Sequence, residues 1–511
     1  MTDELSLPES FIPMTIDLGP RAASARTPSK TAIVDGDRTL GYAGLVERIN
    51  QVGAAALGDL GLRPGDRVGL IASNCLEYFE IVCGFSAIGV PVITISPRLT
   101  PQEALFICED ADIRAIVVEP SWEVTTRDTR LAGDGQIIVI DERYEDWLGN
   151  ARSIRSPAAP TEWDPFAMPY TSGTTGKPKG VVLSHRSRTL TCLAMAQEYG
   201  CYSPDDRHLA IAPLYHGAGF AFAMAAVYLG GTCEILRDFE PEATLRALCD
   251  RQITGTLMVP THFNSIFALE PNVRERHRPY ALNALVSNAA PLPQATKERI
   301  VEFFGDGLLH ETYGSTEAGC VANLRPADQL RKSSCVGLPY PCTRIRLNDD
   351  DGNEVQPGEI GELFSESPFL FNGYWRRPEE TSVALDEGWC TVGDLAWRDE
   401  EGYIYIVDRK NDMIVTGGIN IYPREIEEVL HAHDAVREAA VVAAPDAHWG
   451  DAVKAFVVLN PGADAEGAAL VEHCRTRLAG YKVPKDVEFI ETLPRNAAGK
   501  VLRRVLREST M

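Results

Sequence analysis

"YTSGTTGKPKGVVLSH" occupies Tyr170–His185, about a third of the way along a chain of 511 residues. Its first eleven positions hold three glycines, four Ser or Thr hydroxyls and two lysines, and an apolar run follows. Backbone N–H groups of a Gly-rich turn can converge on phosphate oxygens, hydroxyls add donors, and lysines supply offsetting charge. The Walker pattern GxxxxGK[ST] does not fit. Gly173 stands three positions before Gly176, and Lys177 is followed by Pro178. The stretch therefore reads as a phosphate cradle built outside the Walker geometry.

On both sides of it, apolar strands alternate with helical spacing. "DRVGLIA", "VPVITIS", "IRAIVVE", "QIIVI", "HLAIAP", "ITGTLMVP" and "ALVSNAA" are short apolar runs, and "CLEYFEIVCGFSAIG" has the period of a helix. Such runs, separated by helices, predict parallel sheets covered on both faces. From about Pro341 the texture changes. "CTRIRLNDDDGNEVQPGEIGELFSES" alternates around a turn signal and predicts antiparallel strands. The last hundred or so residues predict a small α+β domain, with a boundary near Asp408–Asp412. The expected fold is α/β. Residues 1–410 form a large N-terminal domain of parallel sheets layered with helices plus a β-rich subdomain, and 411–511 a small mobile α+β C-terminal domain.

Composition narrows the function. Lys and Arg total 49 against 72 Asp and Glu, a net charge of -23, which opposes sequence-independent binding to nucleic acid. A polyanionic ligand must then meet a local positive site. The most apolar region, "GAGFAFAMAAVYLGG", is too short and Gly-punctuated for a membrane span and predicts a buried helix. The N-terminus lacks a basic-then-apolar leader pattern, and the 12 cysteines include no CxxC pair. A reducing cytoplasm is the expected location. No HExxH or GxSxG pattern occurs, which weakens metalloprotease and α/β-hydrolase readings.

The string "YTSGTTGKPKG" resembles the phosphate-loop signature of the adenylate-forming superfamily, which includes acyl-CoA synthetases, carrier-loading adenylation domains and luciferases. Further motifs follow in that superfamily's order: "APLYHGAGF", "SNAAPLP", "ETYGSTEAG", "GWCTVGDLAWRDEEGYIYIVDRKND", "TGGINIYPREIEEVL" and "LPRNAAGKVLRR". The resemblance covers roughly residues 25–508. It departs from the usual pattern in three places. A customary Gly is here Asn288 or Ala289, the customary Asp or Lys at the hinge is Asn411, and a commonly acidic position is Ile419.

What the resemblance implies is an AMP-forming acid–CoA ligase using ATP, Mg²⁺ and coenzyme A. The alternative keeps the adenylation and loads a carrier-protein thiol; a luciferase-type oxygenase and a regulator that has lost catalysis are more distant readings. Thr171, Ser172, Gly173, Thr174, Thr175, Gly176 and Lys179 would hold phosphates. Ala289, Ala290, Pro291, Glu311, Thr312, Tyr313 and Gly314 would bind ATP or AMP, the small-residue loop meeting adenine and Tyr313 stacking on it. Thr316 would meet the α-phosphate, Glu317 Mg²⁺, Asp394 the ribose hydroxyls and Arg409 the ribose and phosphate. His216 would lie beside the acyl carboxylate. Lys500 would be the catalytic lysine, Asn411 the hinge, and Gly417–Gly418 the approach to the CoA channel. The acyl pocket is expected from His216, Phe220, Asn288, Ala289, Ser315 and Cys320. These are mostly small or uncharged, so an apolar fatty, alicyclic or aryl acid is the expected substrate. No membrane span is expected, and one copy or a homodimer are both open.

Overall fold

The computed structural model describes residues 12–129, 136–151, 159–172, 178–279, 281–410, 412–416, 419–446, 450–495 and 501–510. The chain divides into two compact units. The first is Met1–Leu257 with Leu269–Leu285 and Pro368–Ser382; the second is Met258–Ala268 with Val286–Ser367 and Val383–Met511.

The first unit holds the predicted parallel α/β layers. Val92–Ile95, Val68–Ile71, Ala115–Val118 and Gln136–Val139 lie side by side, every pair parallel. Val68–Ile71 and Ala115–Val118 are buried at every position, which is why they read as unbroken apolar runs rather than alternating ones. A second parallel set joins Arg207–Ala210 to Thr232–Ile235, and the latter to Thr31–Asp35. The Gly-punctuated apolar segment forms the buried helix Gly217–Tyr228.

The sheets are not wholly parallel, and connection length is the reason. Tyr170–Ser172 and Pro178–Ser184 are five residues apart and pair antiparallel. A parallel return needs a crossover of about a dozen residues. Thr31–Asp35 and Arg38–Gly41 form a hairpin for the same reason. Tyr170–Ser172 and Pro178–Ser184 therefore form an antiparallel ribbon at the side of a parallel sheet. Gly373–Tyr374 extends that ribbon by pairing with Val181 and Val182.

The second unit carries the antiparallel structure expected after Pro341. Arg344–Asn348 pairs with Gly361–Glu366, which also pairs with Asp394–Arg398, and that strand pairs with Ile404–Arg409. Near the C-terminus the long strands Val436–Asp446 and Gly450–Leu459 form an antiparallel pair. Val441 packs on one face of them with Ile426 and Leu430. Ala440 and Val442 pack on the other with Phe456 and Leu506. That period of two explains why "REAAVVAAP" becomes a strand with a core on both sides. All twelve cysteines are free. Among the described residues no helix is long and apolar enough to cross a membrane.

Candidate active site

Three segments far apart in sequence meet in the second unit. Asp394 opens the strand Asp394–Arg398, and Arg409, which closes Ile404–Arg409, is its cross-strand partner. Arg409 Nε donates to Asp394 Oδ1 at 3.2 Å. The Tyr313 hydroxyl donates to the other Asp394 oxygen. Burial first, then the Asp394 charge, pushes the Tyr313 phenol well above its ordinary value, so it remains a proton donor at neutral pH. Asp394 is thus a buried carboxylate already oriented by two donors.

Tyr313 belongs to the hairpin Leu309–Ser315 with Gly319–Leu324. A side chain at Gly314 is impossible, because a Cβ there would stand 2.1 Å from the Gly319 carbonyl oxygen. Ser315 Oγ accepts the Ala318 N–H at 2.9 Å and closes the turn. Thr316 and Glu317 are thereby fixed at the tip between the two strands, with Glu317 buried.

The segment Asn288–Pro293 is tied to the same hairpin. Asn288 Nδ2 donates to the Thr312 carbonyl at 2.7 Å. The Leu292 N–H donates to Glu311 Oε1 at 3.3 Å. The other Glu311 oxygen meets Lys297 Nζ at 2.5 Å. Thr312 Oγ1 in turn donates to Asn323 across the hairpin. Ala289, at φ +75°, sits in the left-handed region that glycine enters freely. A side chain is carried there at some backbone strain.

In the first unit, Thr171 lies opposite Lys179 across the antiparallel ribbon. Lys179 is ion-paired with Glu380 and lies 5.1 Å from the centre of the Tyr374 ring. Tyr170 at the base of the ribbon donates to Asp110 at 2.7 Å, and Arg377 reaches the other Asp110 oxygen at 2.9 Å. Each strand of the ribbon is therefore tied to a neighbouring segment by a side chain.

His216 is the N-cap residue of Gly217–Tyr228. The segment before it is clamped by Asn74, whose Oδ1 accepts the Leu214 N–H at 2.8 Å and whose Nδ2 reaches three carbonyls. Gly219 is required here too, since a Cβ would meet the Pro213 carbonyl oxygen at 2.1 Å. His216 and Phe220 line one cavity of about 20 Å³, together with Phe166, Arg188, Cys192 and Met224.

The expected site residues thus fall into two groups. Asn288, Ala289, Ala290, Pro291, Glu311, Thr312, Tyr313, Gly314, Ser315, Thr316, Glu317, Cys320, Asp394 and Arg409 belong to the second unit, and Thr171, Lys179, His216 and Phe220 to the first. Gly173, Thr174, Thr175, Gly176, Asn411, Gly417, Gly418 and Lys500 lie outside the described residues, as does the Ser172 side chain. Lys297, Glu380, Asn74 and Arg188 escaped the sequence reading. For two of them a signal existed. Lys297 shares the buried stripe of its helix with Ile300 and Phe304. Arg188 shares that of His185–Tyr199 with Cys192 and Met195. A basic residue at helical spacing within an apolar stripe marks a buried charge.

Comparison with known proteins gives a consistent picture. The family model for AMP-binding enzyme matches residues 20–375, and that for the AMP-binding enzyme C-terminal domain matches residues 425–500. A feruloyl-CoA synthase from Amycolatopsis sp is 35% identical over 485 residues, covering 94% of this chain and 96% of its own. The fatty acid–[acyl-carrier-protein] ligase ScoC of Streptomyces coeruleorubidus is 34% identical over 489 residues, covering 94% and 93%. The crystal structure of ATP-bound MatB from Rhodopseudomonas palustris superposes with a TM-score of 0.88 at 30% identity, covering 97% of this chain and 99% of that one.

Proposed function

The chain belongs to the AMP-binding enzyme family, and on that premise we propose that it is an AMP-forming acid–CoA ligase. A free carboxylate is a poor acylating agent because its leaving group would be oxide. The acid's oxygen attacks the α-phosphorus of ATP and expels pyrophosphate. The CoA thiol then attacks the carbonyl carbon of the mixed anhydride and expels AMP. Charge accumulates on phosphoryl oxygens in the first step, so catalysis is mainly positioning and electrostatics.

The observation that carries this reading is the Tyr313–Asp394–Arg409 constellation beside the Glu311-braced loop. A carboxylate oriented by two donors suits a pair of ribose hydroxyls, and a loop of small residues lets a flat base approach the backbone. Thr316 takes the α-phosphate, and Thr171, Ser172, Gly173, Thr174, Thr175, Gly176 and Lys179 take the polyphosphate. Lys179 would exchange its Glu380 partner for phosphate oxygens. His216 borders the acyl carboxylate.

Glu317 is the carboxylate suited to Mg²⁺, which when bound supplies charge neutralisation on the phosphate oxygens. The described residues contain no group of three or more His, Cys, Asp or Glu side chains that could hold a metal. A single carboxylate fits a cation that takes its remaining ligands from phosphate and water. Residues 411–511 act as the mobile domain, pivoting at Asn411. They present Lys500 for adenylation and then the Gly417–Gly418 segment for thiol attack. A cytoplasmic location belongs to the same reading. Light scattering decides between one copy and two.

The test is AMP and pyrophosphate release across fatty, aryl and alicyclic acids, with CoA or with a carrier protein as acceptor. CoA-dependent acyl-thioester formation is the expected result. Acylation of the carrier alone favours the carrier-loading reading, which the likeness to a carrier-protein ligase keeps in play. Nucleotide binding without pyrophosphate release on any acid overturns both.

A further inference from the structure

The cavity beside His216 has an almost wholly apolar lining. One wall is a stripe of the helix Gly217–Tyr228. Phe220 and Met224 follow the N-cap His216 at intervals of four, so the stripe leads away from the residue assigned to the acyl carboxylate. At 1.5 Å per residue, Met224 lies roughly 12 Å along the helix axis from His216. The far end of that helix is where the N-terminal segment arrives. A Cβ at Gly19 would stand 2.4 Å from the Tyr228 carbonyl oxygen, so this glycine lets the helix Leu18–Arg26 lie against the last turn. Ile16, just ahead of that helix, is 1% exposed and lines the same cavity. Its N–H donates to His185 Nδ1 at 3.0 Å, and the Met14 N–H donates to Glu162 at 3.3 Å. Burial keeps His185 neutral at pH 7, so the ring can accept. Phe166 joins the two ends, its ring centre 6.4 Å from that of Phe220 and 5.8 Å from that of His185. With its N–H occupied, Ile16 meets the apolar cavity with hydrocarbon. The volume, about 20 Å³, suits one small group, and a water would need two or more polar partners there. A terminal carbon fits both limits.

We propose that Ile16 is a specificity-determining residue of the acyl site: it is the end-stop on which the last carbon of an apolar acid tail packs, and it sets the longest tail accepted. This rests on the ligase reading above and names its substrate class, acids that end in hydrocarbon and have a limiting length. The other apolar walls belong to helices and strands of the α/β layers. Ile16 sits instead on the segment 12–17, whose place is fixed by side-chain acceptors on His185 and Glu162. A change of side chain at Ile16 therefore alters the depth of the cavity and leaves the stripe that begins at His216 as it is.

The experiment measures kcat/KM for AMP formation along two homologous series, unbranched alkanoates and ω-phenylalkanoates, in the wild type, Ile16→Val and Ile16→Ala. The quantity read is a ratio: kcat/KM for the acid one methylene longer than the wild type's best, divided by that for the best. Ile16→Ala is expected to raise it by about 10–200-fold, the range for a methylene admitted to or refused by an apolar pocket. Ile16→Val is expected to raise it by about fourfold, the effect of one buried methylene. A terminal hydroxyl on the longer acid should cancel the gain, because the lining offers it few partners. A merely structural role for Ile16 lowers kcat/KM for every acid by one factor and leaves the ratio unchanged. That result overturns the inference alone, as does a wild type with no upper length limit in either series. If Ile16→Ala forms no AMP with any acid, the ratio in Ile16→Val decides: a raised ratio supports the proposal and an unchanged one overturns it. Absence of AMP formation by the wild type with every acid, with CoA or a carrier protein as acceptor, overturns the ligase reading and this inference with it.

Discussion

Replacing Lys297 with Met should loosen the Asn288–Pro293 segment without unfolding the chain. The Lys297 side chain is 0% exposed and that of Glu311 5%, with Nζ and Oε2 2.5 Å apart. Removing one partner leaves the Glu311 carboxylate buried and uncompensated, which costs about 3–5 kcal/mol. That corresponds to roughly a 150-fold to 5,000-fold change in the local opening equilibrium. The penalty should fall on the Leu292 N–H bonded to Glu311, because a carboxylate that moves toward water abandons that bond. Hydrogen exchange of a peptide covering residues 286–304 is the direct assay. Lys297→Met should lose at least about tenfold of protection there and raise the KM for ATP more than it lowers kcat. The double variant Lys297→Met/Glu311→Gln removes both charges and keeps a carbonyl to accept the Leu292 N–H. It should recover most of the protection, since replacing a buried pair by neutral groups is often close to neutral in stability. Unchanged exchange in Lys297→Met would refute the reasoning, as would a double variant damaged as badly as the single one.

Further outcomes test the other assignments. Lys500→Ala should abolish adenylation while largely sparing thioester formation from preformed acyl adenylate; equal loss in both half-reactions contradicts its assigned role. Asp394→Asn should raise the KM for ATP about 10–100-fold, the range for charge-assisted hydrogen bonds, with little change in the KM for the acid. A larger effect on the acid would move Asp394 out of the ribose site. Acid should destabilise the first unit through its buried imidazoles. Burial holds His185 down to about 4 and His208 to about 3, against roughly 6.5 when unfolded. Both are neutral at pH 7 in the folded state and mostly so when unfolded, so they contribute little pH dependence there. As pH falls below the unfolded value, the unfolded chain takes up protons that the folded one refuses. Each residue then removes roughly 2 kcal/mol by pH 5. Denaturation of His208→Phe between pH 7 and 5 should show a shallower loss of stability than the wild type, and an equally steep loss would count against this account.

The layered α/β class was legible because buried parallel strands must be apolar at every position, as Val68–Ile71 and Ala115–Val118 are. The alternating C-terminal strands were equally legible because each face of Val436–Asp446 has its own core. Motifs such as "ETYGSTEAG" could be read because backbone geometry constrains them locally: Gly314 leaves no space for a Cβ within its own hairpin. None of these readings needs a partner from far along the chain.

Other features depend on such partners. Tyr313 and Asp394 are 81 residues apart in sequence, and only folding makes one the donor of the other. The left-handed conformation of Ala289 cannot be read from an alanine, a residue that ordinarily avoids it. Lys297 and Arg188 stand at helical spacing within apolar stripes, which marks them for burial, but what each of them meets belongs to the packed assembly of elements and not to any one segment. Sequence alone determined the α/β class, since this follows from local periodicity, and it supplied the motifs that carry the resemblance. Only the tertiary structure decided what the buried charges brace and that Arg188 and His216 line one cavity, because those partners come from different elements of the chain.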